Sequence, residues 1–155
     1  MPGALRLTYE SGISRGKIKG GEAVKYILLM NTMKMGDDGM GKWPKKDQQA
    51  HIAYWNTLNK ELAESGELVA VEGLAFPDQA KLVRARKDGA PATDGVFPES
   101  KEFLAGYWIV DVETPDRAYV IAARASTAPG PGGAPLNMPI EVRQVMMSVR
   151  PDELL

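Results

Sequence analysis

From Ala23 to Asn31 the chain reads AVKYILLMN, an almost unbroken apolar run of the kind that forms a strand covered on both sheet faces. Between Lys45 and Ser65 the period changes. Trp55, Leu58 and Leu62 recur at helical spacing, about 100° per residue, and Asn56, Lys60 and Glu64 fall opposite them. His51 lies inside the apolar stripe, so the pattern aims it at a sheet. Gly66 follows as a favoured residue just past a helix end.

The next run, Glu67 to Phe76, predicts a strand in which Leu68, Ala70 and Glu72 alternate with Val69 and Val71. Lys81 to Arg86, a turn at Lys87-Asp88-Gly89 and the residues to Thr93 predict a hairpin, and Asp94-Gly95 predicts a second turn. Phe103 to Glu113 then predicts a long strand with Trp108, Val110 and Val112 on one face and Tyr107 and Ile109 on the other. Thr114-Pro115-Asp116 opens a second helix with a capping hydroxyl, a proline at its first position and an acid against its positive end. Ala118, Ile121, Ala122 and Ala125 form its small apolar face. Ser126 to Pro139 is too rich in Pro and Gly for a regular element, and Ile140 to Val149 predicts a last strand ended by Pro151.

Without the inserted hairpin the order is βαββαβ, which predicts an α+β fold of the ferredoxin-like kind. Two helices cover one face of such a sheet, yet both faces are apolar. A homodimer through the sheet faces, a dimeric α/β barrel, is the expected way to cover the second. Residues 1–22 read as an arm, partly flexible and with a short strand near Leu5 to Tyr9. Residues 23–150 read as a single domain and 151–155 as a frayed tail.

Composition narrows the function classes. The 155 residues suit one core, and a net charge of -1 with scattered basic residues gives no field for nucleic acid or an acidic membrane. No segment approaches the ~20 apolar residues of a membrane span. The chain has no cysteine and one histidine, which leaves no thiolate nucleophile and no histidine-rich metal site, and fits a cytoplasmic setting. Asp37-Asp38 lack the alternating acids of a calcium loop. No phosphate-binding, dinucleotide-binding or nucleophile-elbow motif is present, so no cofactor and no metal is expected.

Chemistry then falls to few side chains. His51 reads as a general acid or base, or as a core-edge histidine donating to a backbone carbonyl. Asp94 reads as its acid partner, or as a turn residue serving nearby backbone. Trp55, Phe97, Tyr107 and Trp108 read as the lining of a pocket for a flat apolar ligand, or as core and dimer interface. Arg84, Arg86 and Arg143 sit on strands, where a guanidinium holds a ligand carboxylate or an interface ion pair.

Several blocks, in order, resemble one family: K-Y-I-L-L-M from Lys25, H-x-x-x-W-x-x-x-x-x-E-L from His51, T-D-G-V-F-x-E-x-K-E from Thr93 and G-Y-W-I-V-D-V from Gly106. They resemble the YCII-related proteins, and within them a subgroup named for a D-G-P-F motif, from Lys25 to about Val145. Here Val96 replaces the proline of that motif. The resemblance implies a dimeric ferredoxin-like α+β barrel. For some relatives it implies a small enzyme using a His–Asp pair, whose histidine carries over to His51. The aspartate, near the end of the second helix, does not carry over, since Arg124-Ala125-Ser126-Thr127 stands there. Two functions are therefore expected. One is a cofactor-independent lyase or isomerase with His51 as base on a small aromatic or carbonyl compound. The other is a non-catalytic dimeric module that binds a small ligand or a protein, with a regulatory role beside sigma factors.

Overall fold

The computed structural model describes residues 17–18, 21–33, 39–95 and 102–155. Its strands are β1 (Lys17–Ile18), β2 (Gly21–Glu22), β3 (Val24–Met33), β4 (Leu68–Gly73), β5 (Lys81–Ala85), β6 (Pro91–Gly95), β7 (Glu102–Val112) and β8 (Ile140–Gln144). Helix α1 (Lys45–Glu64) joins β3 to β4, and α2 (Pro115–Ser126) joins β7 to β8. The main sheet runs β4-β7-β3-β8 with every neighbour antiparallel, the ferredoxin-like order. The expected strand near Leu5, the Asp37-Asp38 loop and the residues Val96 and Phe97 lie outside the described residues.

Register shows why both faces of β3 are apolar. Tyr26, Leu28 and Met30 face the helices, with Leu28 between Trp108 and Val142 and Tyr26 beside Val110. Leu58 and Leu62 of α1 and Ala118, Ile121, Ala122 and Ala125 of α2 close this core. Each fully buried Leu, Ile or Val there contributes about 1.5–3 kcal/mol. On the opposite face Ile27 pairs with Ile109, Leu29 with Tyr107 and Lys25 with Asp111. These side chains take no part in the helix-covered core. The alanine face of α2 lets that helix lie close to the sheet, and Thr114 caps it as predicted, accepting from the Arg117 N–H at 3.3 Å.

Two expectations are corrected. Asp94 and Gly95 form no turn: they are strand residues of β6, paired with Leu82 and Lys81 of β5. The hairpin turn expected at Lys87-Asp88-Gly89 is there, with Gly89 at φ 84° and the Asp88 carboxylate accepting from the Ala90 N–H at 3.0 Å. The last strand stops at Gln144, not Val149. It is a sheet edge paired only with β3, and after the Val145 N–H to Lys25 carbonyl bond its partner strand runs out. The tail forms a 3-10 turn over Pro151–Glu153, tied by Arg150 to Asp152 and Glu153.

Candidate functional site

Helix α1 begins directly after Pro44, and one turn in it places Asp47 and His51 four residues apart on a single inward stripe. Both side chains are buried, 6% and 3% exposed. The His51 ring stands between two indoles. Trp43 meets it edge-on, with centroids 5.4 Å apart, and Trp55 lies tilted over it at 4.2 Å. Trp55 in turn sets its edge against Trp108, whose Nε1 donates to the Asn59 amide oxygen at 2.8 Å. The stripe therefore continues as an aromatic ladder into the core.

The polar atoms of this pair are directed at one loop. His51 Nδ1 donates to the Pro129 carbonyl at 2.9 Å, and Asp47 Oδ2 accepts from the Gly132 N–H at 3.1 Å. A carbonyl only accepts, so the neutral imidazole carries its proton on Nδ1. Residues 128–138 also hold themselves: Gly130 N–H bonds to Ala134, Leu136 N–H to Ala128, and the Ser126 hydroxyl to the Met138 carbonyl at 2.5 Å. Gly132 and Gly133 supply the positive φ values, 70° and 81°, that let the loop reverse against α1. Asp47 and His51 thus clip a Pro/Gly loop to the first turns of α1. No hydrogen bond joins them to each other.

Of the other sequence-predicted residues, Trp55 and Trp108 belong to this cluster, whereas Asp94, Arg84, Arg86, Tyr107 and Arg143 lie elsewhere. Asp94 is exposed on β6 and makes no hydrogen bond to His51. Arg86 stands at the hairpin turn, its N–H on the Ala90 carbonyl, and Arg84 is exposed on β5 opposite Ala92. Trp55 is in the ladder. Tyr107 and Arg143 lie on the open sheet face, Tyr107 opposite Leu29 and Arg143 opposite Ile27. Asp47 was missed by the sequence reading, although its i, i+4 spacing to His51 was available as a signal.

A second missed residue is Asp111, on the open face across from Lys25. It is 9% exposed, and its Oδ1 has no hydrogen-bond partner. Burial pushes its carboxyl above the usual range, and the Lys25 ammonium pulls only partly the other way. Nearby Glu67 is fully engaged. Arg117 donates to both of its oxygens at 2.7 Å and holds its carboxyl below the usual value. Among the described residues, no group of three or more acids or histidines is placed to hold a metal ion.

Two surface grooves lie among the described residues. One of about 370 Å³ is apolar, with Leu74, Phe76, Phe103 and Leu104 in its walls, and one of about 300 Å³ lies between α2 and β8. Neither is lined by His51, Asp47 or Asp111. Among the described residues no helix is long and apolar enough to cross a membrane.

Among curated proteins, none matches the chain. A family match does exist, and it covers residues 25–132, from the start of β3 into the loop clipped by Asp47 and His51. With well over half of its length matched, the chain belongs to the YCII-related domain family.

Proposed function

We propose that the domain is a homodimeric, non-catalytic binding module, joined through the open face of its sheet, in which His51 serves the fold. The observation that carries this reading is the bond from His51 Nδ1 to the Pro129 carbonyl, made by a ring buried between two indoles. A general base needs a substrate proton within reach and an acid or cation to orient it. Here the nearest carboxylate along the helix, Asp47, is committed to the Gly132 N–H, and Asp94 stands on a separate hairpin.

The dimer rests on the second sheet face, where Ile27, Leu29, Tyr107 and Ile109 stand in adjacent rows outside the helix-covered core. Apolar rows of this kind are covered in most soluble proteins. We assign the chain to the D-G-P-F subgroup on the block from Thr93 to Phe97. We place it in the cytoplasm on its lack of cysteine. The regulatory role that the resemblance implies fits a domain of this kind.

Nitrogen-15 NMR of the single histidine tests the central point. The expected spectrum at neutral pH shows one tautomer, protonated on Nδ1, unmoved by a panel of small aromatic and carbonyl metabolites. Tautomer exchange, or a ring shift on adding one of those compounds, would return His51 to the role of base. Sedimentation equilibrium tests the assembly, and a single-chain mass at micromolar concentration would remove the dimer.

A further inference from the structure

We infer that the outer edge of β5, with the apolar groove at its root, is a docking site for an extended acidic segment of a partner protein, which adds to the hairpin as a third strand. This goes beyond the binding-module reading and depends on neither the dimer nor the role of His51. Among the described residues, β5 and β6 pair only with each other. A two-stranded ribbon is marginally stable alone, and a third strand stabilises it. Register shows where that strand fits. Arg86 donates its N–H to the Ala90 carbonyl, which makes the two a hydrogen-bonded pair. The alternation of an antiparallel ladder then gives the same character to Arg84 with Ala92 and to Leu82 with Asp94. Lys81, Val83 and Ala85 therefore turn their N–H and C=O groups outward on β5. On β6 the outward positions include Pro91, which has no N–H to give, so that edge is blunted and the edge of β5 is open.

The side chains along that edge specify the occupant. Leu82, Arg84 and Arg86 share one face of the ribbon, opposite the smaller Asp94, Ala92 and Ala90. Both guanidiniums are exposed, and neither makes an ion pair or hydrogen bond. With Lys81 and Lys87 they form four cations against two acids on the hairpin. One of those acids, Asp88, is engaged by the Ala90 N–H. The whole chain carries -1, so the basic excess is local to this hairpin. Residues two apart on a strand stand about 7 Å apart on one face, so carboxylates at alternate positions of an added strand meet Arg84 and Arg86 together. Each guanidinium can bond both oxygens of its carboxylate.

The groove supplies an apolar anchor beside the charges. Strand β5 begins at Lys81, and Ala80 just before it lines the groove of about 370 Å³ walled by Leu74, Phe76, Phe103 and Leu104. Leu74, Phe76 and Leu104 are exposed there. A strand laid along β5 reaches this groove at one end and buries an apolar side chain in it. Main-chain bonds then give affinity and the side-chain pocket gives specificity. A second copy's β5 is a poor occupant, because antiparallel pairing sets the cations against their own kind. Nucleic acid is a poor one as well. Exposed Leu82 and Val83 stand between Lys81 and Arg84, and the rest of the chain is net negative.

Fluorescence anisotropy on the full chain provides the test, with a short labelled peptide that alternates glutamate with valine and carries leucine at both ends. Saturable binding is expected, weakened at least about tenfold when glutamine replaces the glutamates. Two N-methylated peptides, one for each set of alternate backbone nitrogens, leave the protein and every side chain unchanged. One of them is expected to bind as the parent does and the other to lose binding, because only one set faces β5. Val83→Pro removes an outward N–H without touching the β6 ladder and should also lose binding, whereas Arg84→Gln with Arg86→Gln should abolish the preference for glutamate. Absence of saturable binding, equal affinity for the glutamine peptide, or tolerance of both N-methylated peptides overturns the proposal. Tighter binding of an oligonucleotide of matching charge overturns it as well. None of these outcomes bears on the sedimentation or histidine measurements, so the dimer and the role of His51 stand or fall separately.

Discussion

His51 donates its Nδ1 proton to the carbonyl of Pro129, a residue 78 positions further along the chain. One turn earlier, Asp47 accepts from Gly132 of the same loop. The first turns of α1 therefore act as an anchor for a segment that contributes no strand or α-helix of its own.

Removing either anchor is expected to destabilise the fold. His51→Ala strands a backbone carbonyl and opens space between two indoles, and should cost about 2–4 kcal/mol. Asp47→Ala loses one buried acceptor and should cost about 1–2 kcal/mol. Because both side chains hold one loop, the double variant should lose less than the sum of the two. Urea denaturation of the four proteins measures this. Strict additivity would show that the loop is held elsewhere.

The stripe of Trp55, Leu58 and Leu62 made the orientation of His51 legible in the sequence, because helical period is a local property. Its partner was not legible. Pro129 and Gly132 sit in a run whose composition says only that it is irregular, and which carbonyl reaches α1 depends on how two distant segments dock. The hairpin shows a similar limit. Two Asp-Gly pairs, at Asp88 and Asp94, look alike as turn signals, and only pairing across β5 and β6 separates them. Sheet order followed from counting elements, whereas the end of β8 at Gln144 depended on where β3 begins. Asp111 was hidden for another reason: an acid at the end of a strand reads as the return of polarity, and burial depends on the strands beside it.

Gly106 marks a close approach of strands. A Cβ built there would lie 2.6 Å from the Glu72 carbonyl oxygen on β4, which is backbone and has little room to yield. Gly106→Ala is expected to push β4 away from β7 and to cost about 1–3 kcal/mol. The loss should appear as faster amide hydrogen exchange in β4 before any change in β3. Unchanged exchange in β4 would show that the sheet absorbs the methyl group.

The Glu67–Arg117 pair gives stability a defined acid limb. Both Glu67 oxygens accept from Arg117, so the folded carboxyl titrates below its ordinary 4.5. The contribution is complete above that pH and disappears as pH falls through the lowered folded value. Glu67→Gln should flatten the stability profile in that acid range. At neutral pH it should cost about 1 kcal/mol or less, because Arg117 is substantially solvated. Denaturant midpoints measured from pH 2 to 7 check both statements, and parallel profiles for the two proteins would contradict them.

Asp111 works in the opposite direction. Burial raises its folded carboxyl above the ordinary 3.8, so the unfolded chain ionises first as pH climbs. Below that value both states are protonated and the residue imposes no ionisation penalty. Stability of the isolated chain then falls as pH rises through the window between the unfolded and folded values, and stays lowered above it. Asp111→Asn removes the charge at nearly constant shape, so at neutral pH the variant monomer should be more stable by about 1 kcal/mol, with the gain vanishing in acid. Thermal unfolding measured from pH 3 to 7 reads this, and a variant no more stable than the parent at neutral pH would mean that burial does not disfavour the charge.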